Sequence, residues 1–195
     1  RMTRYQTYVI LFIFLNFCLL GYDFVTIWAG SQYADAYKAS IIIMAPMCVS
    51  LLLEFCYMYQ VSVKKLSYRI ISFFFCLILS FIIIYLIKGI SILSFSYIIG
   101  LSILSGQIVC VLYYIRKKTP FSIRDWFLTI LPISIPPMVL TFAVHCFDSL
   151  ILSNMIDNSI THFIVYAMLY NLLLIGAMWF FSFTKEDRSR FQIKK

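Results

Sequence analysis

Glu54 stands inside an otherwise apolar run, MCVSLLLEFCYMYQ, and a carboxylate so placed needs a reason. At membrane depth it costs roughly 2.5–3.5 kcal/mol or more unless it faces a cavity, finds a partner or takes a proton. Pro46, Ser50 and Glu54 recur every four residues and so share one helix face, which Tyr57 continues. A working Glu54 couples a proton or cation, or touches a polar substrate. A structural Glu54 reaches interfacial water or Lys64 at the basic end of its span.

A second constellation lies later in the chain. Pro137, Thr141 and His145 share a face that ends near Asp148, and His162, Tyr166 and Tyr170 do the same with Asn171 beside them. A short connection favours neighbouring helices, which brings both histidines to one outer mouth. A histidine pair can bind metal or shuttle protons, but a third ligand at metal spacing is missing, so no metal site is expected. The competing structural reading is a pair of interfacial histidines bonded to loop backbone, and His145 with Asp148 as a catalytic pair ranks lower still. Asn16, Gln107 and Asn171 complete the list of polar candidates for a substrate or ion pathway.

Other residues speak about packing. Pro132, Pro136 and Pro137 remove backbone donors within LPISIPPMVL, so that helix is expected to bend or break and to pack against protein, as a static kink or a moving one. Ser102 and Gly106 form a small-xxx-small pair that lets helices approach, with Gln107 able to bond across the contact. Ser72, Cys76 and Ser80 make a similar narrow stripe. All six cysteines (Cys18, Cys48, Cys56, Cys76, Cys110 and Cys146) lie in apolar runs without a CxxC pair, which argues for small hydrophobes.

These residues are held by six apolar runs, at about 8–27, 39–59, 70–87, 90–115, 126–147 and 160–183, each near or above the ~20 residues that cross a bilayer core. With 63% hydrophobic and 12% charged residues, the expected fold is an all-α polytopic membrane helix bundle, one transmembrane domain over residues 1–195. Arg1–Leu20 has the look of a signal peptide, yet no small-x-small cleavage site follows, so it is read as a true span. The segment Gly21–Lys38 is expected to hug the outer interface. Tyr57, Tyr59, Tyr113, Tyr114, Trp126 and Trp179 lie toward span ends, where amphipathic rings suit the headgroup region.

Cations alternate between loops. Arg1, Arg4, Lys64, Lys65, Arg69, Arg116, Lys117, Lys118, Arg124, Lys185, Arg188, Arg190, Lys194 and Lys195 fall on one side, leaving Lys38 and Lys88 for the other. Basic loops stay cytoplasmic, so both ends are assigned to the cytoplasm of a bacterial inner membrane. The net charge of +8 then serves topology and anionic lipid headgroups, and nucleic acid is not an expected partner. No Arg or Lys lies deep within a span.

The run Gly21-Tyr-Asp-Phe-Val-Thr-Ile-Trp-Ala-Gly30, followed by Gln32-Tyr33-Ala-Asp-Ala36, resembles a segment of the bacterial polysaccharide flippases. Tyr97–Gly100 into Ser102–Gly106, closing on Tyr113–Lys118, is similar to theirs, as is the basic tail Thr184–Arg188. The family is the O-antigen or capsule-repeat-unit branch of the multidrug/oligosaccharidyl-lipid/polysaccharide exporter superfamily. The resemblance implies a twelve- to fourteen-helix, two-lobed transporter of which this chain is the C-terminal portion, a reading consistent with a chain that opens on Arg1. It implies translocation of undecaprenyl-pyrophosphate-linked oligosaccharide by alternating access, without cofactor or covalent chemistry. A polysaccharide polymerase and a chain-length regulator are the implied partners. No family residue carries over as a known site. The alternatives are a cation-coupled drug or metabolite exporter of the same superfamily, or a membrane polymerase or acyltransferase using His145, Asp148 or His162. A structural role, six spans that stabilise a partner, is a further option.

Overall fold

A computed structural model describes residues 2–62, 67–87, 89–116, 123–150 and 159–183. The cations Arg1, Lys64, Lys65, Lys88, Lys117 and Lys118, and the tail from Thr184 onward, lie outside the described residues. So do the side chains of Cys56, Tyr57, Tyr59, Tyr113 and Tyr114.

Among the described residues there are seven α-helices: α1 (Met2–Trp28), α2 (Ala34–Leu52), α3 (Glu54–Ser62), α4 (Ser67–Leu86), α5 (Ile92–Arg116), α6 (Ile123–Leu150) and α7 (Ser159–Ala177). A 3-10 turn (Ser31–Tyr33) precedes α2, and a π turn (Met178–Ser182) extends α7. Six helical segments are long and apolar enough to cross a membrane. Large apolar side chains cover their surfaces; Phe74, Phe75 and Phe142, for example, are 65%, 65% and 71% exposed. Water would not tolerate such a surface, and lipid would. The protein is an all-helical, multi-pass membrane protein.

The helices cluster into two compact units, one of residues 1–31 and 124–195, the other of residues 32–123. The first unit joins α1, α6 and α7. Tyr8, Leu11, Leu15 and Leu19 of α1 share its core with Ile133 of α6 and with Tyr166, Tyr170, Leu174 and Met178 from the α7 segment. In sequence these apolar residues return at helical spacing, which builds the seam.

Proline chemistry decides the rest of that core. Pro137 has no N–H, which leaves the Ile133 carbonyl without its helical donor. The Ser182 hydroxyl donates to that carbonyl at 2.9 Å, and Tyr8 Oη donates to the Ser182 carbonyl at 3.0 Å. One turn above, Thr141 Oγ1 donates to the Pro137 carbonyl at 2.7 Å and lies 2.9 Å from Tyr170 Oη. Helix α6 therefore remains helical through Pro132, Pro136 and Pro137 and does not break, because protein donors replace a lost backbone bond.

In the second unit α5 packs against both α2 and α4. Pro46 frees the Ile42 carbonyl, and Gly100 of α5 lies directly over it: a Cβ on Gly100 would sit 2.9 Å from Ile42 O and 3.3 Å from Pro46 Cγ. Gly106 meets the Phe73 ring of α4, where a Cβ would come within 3.0 Å, and its carbonyl accepts from Ser72 at 3.2 Å. The closest approaches thus belong to Gly100 and Gly106, on faces turned to different helices.

Helix ends differ from expectation at two places. Helix α1 continues to Trp28, through the first part of the Gly21–Lys38 segment expected at the interface, and Gly30 just beyond it has a φ of 102°, which suits glycine. The expected span over 39–59 stops at Leu52. Leu53 leaves helical geometry, and Glu54 opens α3, where a carboxylate complements the positive end of a helix.

Candidate functional site

Three helices of the first unit bring a set of titratable side chains to one end of the bundle. Asp23 lies five residues before the end of α1, Asp148 and His145 near the end of α6, and His162 and Tyr166 in the first turns of α7. Asp23 lies within electrostatic reach of Asp148, His162 and His145, and Tyr166 within reach of Asp148 and Asp23. His162 Nε2 is 3.1 Å from Asp148 Oδ1, with side chains 15% and 19% exposed. Their rings stacked at 16°, His162 and Tyr166 have centroids 5.8 Å apart.

That His162–Asp148 separation is of hydrogen-bond length, yet the N–H direction does not complete a bond. Among the described residues Asp148 Oδ1, His162 Nε2 and Tyr166 Oη are all buried without a hydrogen-bond partner. The distance carries the physical meaning, since two polar groups this close interact whichever ring nitrogen holds the proton. His145 is exposed at the rim. Beside the cluster, an apolar groove of about 370 Å³ is lined by Val144, Phe147, Tyr166 and Tyr170.

Of the expected meeting at this mouth, the His162–Asp148 contact has a definite geometry, and Asp23 lies within electrostatic reach of both and of His145. Asp23 falls in the 8–27 run but also in the Gly21–Lys38 segment expected at the interface, so the sequence does not single it out. Its signal was available: Asp23 follows fifteen residues after Tyr8 within an apolar run, so it is acidic at membrane depth as Glu54 is. Among the described residues no three His, Cys, Asp or Glu side chains group as metal ligands do.

The pathway candidates are dispersed. Glu54 Oε2 faces Arg69 Nη2 at 3.9 Å, with side chains 27% and 21% exposed, and the guanidinium also lies 5.6 Å over the Phe73 ring. Arg69, counted by sequence as a loop cation, belongs to α4. Gln107 is 2% exposed and accepts from Ser50 at 3.3 Å across the α2–α5 contact. Asn16 and Asn171 each bend back to their own helix, donating to Phe12 O at 2.9 Å and Ala167 O at 2.8 Å. Gln60 of α3 was missed; it is 1% exposed with both amide atoms unpartnered among the described residues.

No family model, curated protein or solved structure matches this chain. Its chemistry must therefore be argued from its own residues. Trp126, expected at the interface, is buried at 6% exposure, whereas Trp28 is 79% exposed and stacks on Phe24 at 6.1 Å. A stacked, exposed pair at a helix end is where an interfacial anchor belongs.

Proposed function

We propose that this chain belongs to the translocating machinery of a bacterial inner-membrane flippase. Its cargo is an undecaprenyl-pyrophosphate-linked oligosaccharide repeat unit, moved from the cytoplasmic to the periplasmic leaflet for O-antigen or capsule synthesis. Both chain ends are assigned to the cytoplasm, and a polymerase and chain-length regulator act on the delivered units.

One observation carries the reading. The segment that resembles the flippases, Gly21–Ala36, forms a defined junction: Trp28 closes α1, Gly30 takes the left-handed backbone at φ 102°, and Ser31–Tyr33 forms the turn into α2. Gly30 of that motif is thus a residue the local backbone requires, and this junction is what supports the reading. Deleting the gene should stop surface polysaccharide and accumulate the lipid-linked repeat unit on the cytoplasmic leaflet. Restoration by the intact gene completes the test, and normal polysaccharide in the deletion strain would sink the proposal.

A second reading is favoured by the acid–histidine cluster of the first unit. A cation-coupled exporter of drugs or metabolites would use such groups equally well. Altered drug susceptibility with unchanged surface polysaccharide in the deletion strain selects it.

A further inference from the structure

Asp23, Asp148, His162 and Tyr166 come from three helices, and every one of them lies on a membrane-length segment. Two ionised carboxylates beside a neutral imidazole would leave an uncompensated negative cluster where charge is costly. Proton uptake by the His162 ring is the smallest change that reduces it. The ring then carries an N–H at both nitrogens, and the contact to Asp148 Oδ1 at 3.1 Å becomes a charge-assisted hydrogen bond once the ring turns onto the line. Tyr166 is 2% exposed and its hydroxyl has no partner among the described residues, so a donor is already held beside the carboxylates. A buried hydroxyl left unmatched costs about 1–3 kcal/mol, which sets this residue apart from ordinary core packing.

We propose that these four residues, with His145 at the rim, form a proton-binding site that takes up one proton from the side of the bundle where α1 ends. The proton enters from water, forms an N–H bond on His162, and leaves by the same bond breaking; no redox partner is involved. Among the described residues, the titratable groups of this cluster are Asp23 from α1, His145 and Asp148 from α6, and Tyr166 from α7, with Tyr170 one turn further along. A proton is the ligand favoured over a metal ion, because among the described residues the carboxylates and imidazoles do not converge as a coordination shell does. Proton binding stands on the His162–Asp148 contact and on the buried Tyr166 hydroxyl beside it. Its use to drive translocation rests on the flippase reading.

The full chain in nanodiscs, labelled at histidine, reports the site directly. It holds two histidines, so His145→Gln assigns the His162 imidazole signal in an NMR pH titration. Asp23→Asn, on a different helix from the ring, is expected to lower the His162 midpoint by about half a pH unit or more, roughly threefold in proton affinity. Asp148→Asn gives the same reading should Asp23→Asn not fold, and Asp35→Asn, an exposed carboxylate outside the cluster, leaves the midpoint in place. An unmoved midpoint in both cluster variants overturns the site. A midpoint that falls with added sodium but not with choline overturns the proton as its ligand. Surface polysaccharide in cells separates the two proposals: its loss with Asp23→Asn supports coupling, while its retention with a shifted titration removes the coupling role and leaves the proton site.

Discussion

Ser182 and Ile133 show how much one side chain can decide inside a membrane. Pro137 strips the Ile133 carbonyl of its donor, and the π turn at the end of α7 puts the Ser182 hydroxyl on it. Ser182→Ala should therefore cost about 1–2 kcal/mol, read as a lower thermal midpoint in detergent, since it strands a buried acceptor. Ser134→Ala is the contrast: Ser134 bonds only the Ile130 carbonyl of its own helix, already served by backbone, and its loss should be nearly silent. Glu54 makes a different case. Its partner Arg69 is 3.9 Å away and both remain partly exposed, a geometry worth at most about 1 kcal/mol. Glu54→Gln is accordingly expected to leave stability and surface polysaccharide near wild type; loss of polysaccharide at normal expression would restore Glu54 as a coupling group.

Among whole elements, the α2–α5 contact depends on a missing side chain. Gly100 covers the carbonyl that Pro46 releases, and any Cβ there strikes backbone that cannot rotate away. Gly100→Ala should destabilise by about 1–3 kcal/mol through overpacking. Gly176 of α7 has nothing within 4 Å of an added Cβ, so Gly176→Ala should be neutral or stabilising by up to about 1 kcal/mol. Paired denaturation curves of the two variants check both signs. Sequence pointed to Ser102 with Gly106 as the small-residue pair. It had no means of seeing that Gly100 meets a proline-freed carbonyl, because that contact joins positions far apart in the chain.

For the molecule as a whole, the alternation of basic and cation-poor loops makes a topology claim that the helices alone do not carry. Reporter fusions at positions 64 and 117 should report cytoplasm, and fusions at 36 and 155 the opposite face. A uniform signal, or the reverse pattern, would refute the assigned orientation.

Composition and run length by themselves determined that this is a multi-pass helical membrane protein, since crossing a bilayer demands apolar length that few other folds need. They placed five of the six spans closely and gathered His145, Asp148 and His162 at one mouth. Hydropathy reports how oily each stretch is, and it does not record which polar atom answers which. Only tertiary structure brought Asp23 within electrostatic reach of His162, closed the second span at Leu52, and put Ser182 on the carbonyl freed by Pro137. In a medium without water, a buried polar group that its own helix does not satisfy needs a partner from another part of the chain. Those pairings depend on the packing of helices in space, which no single run of residues contains.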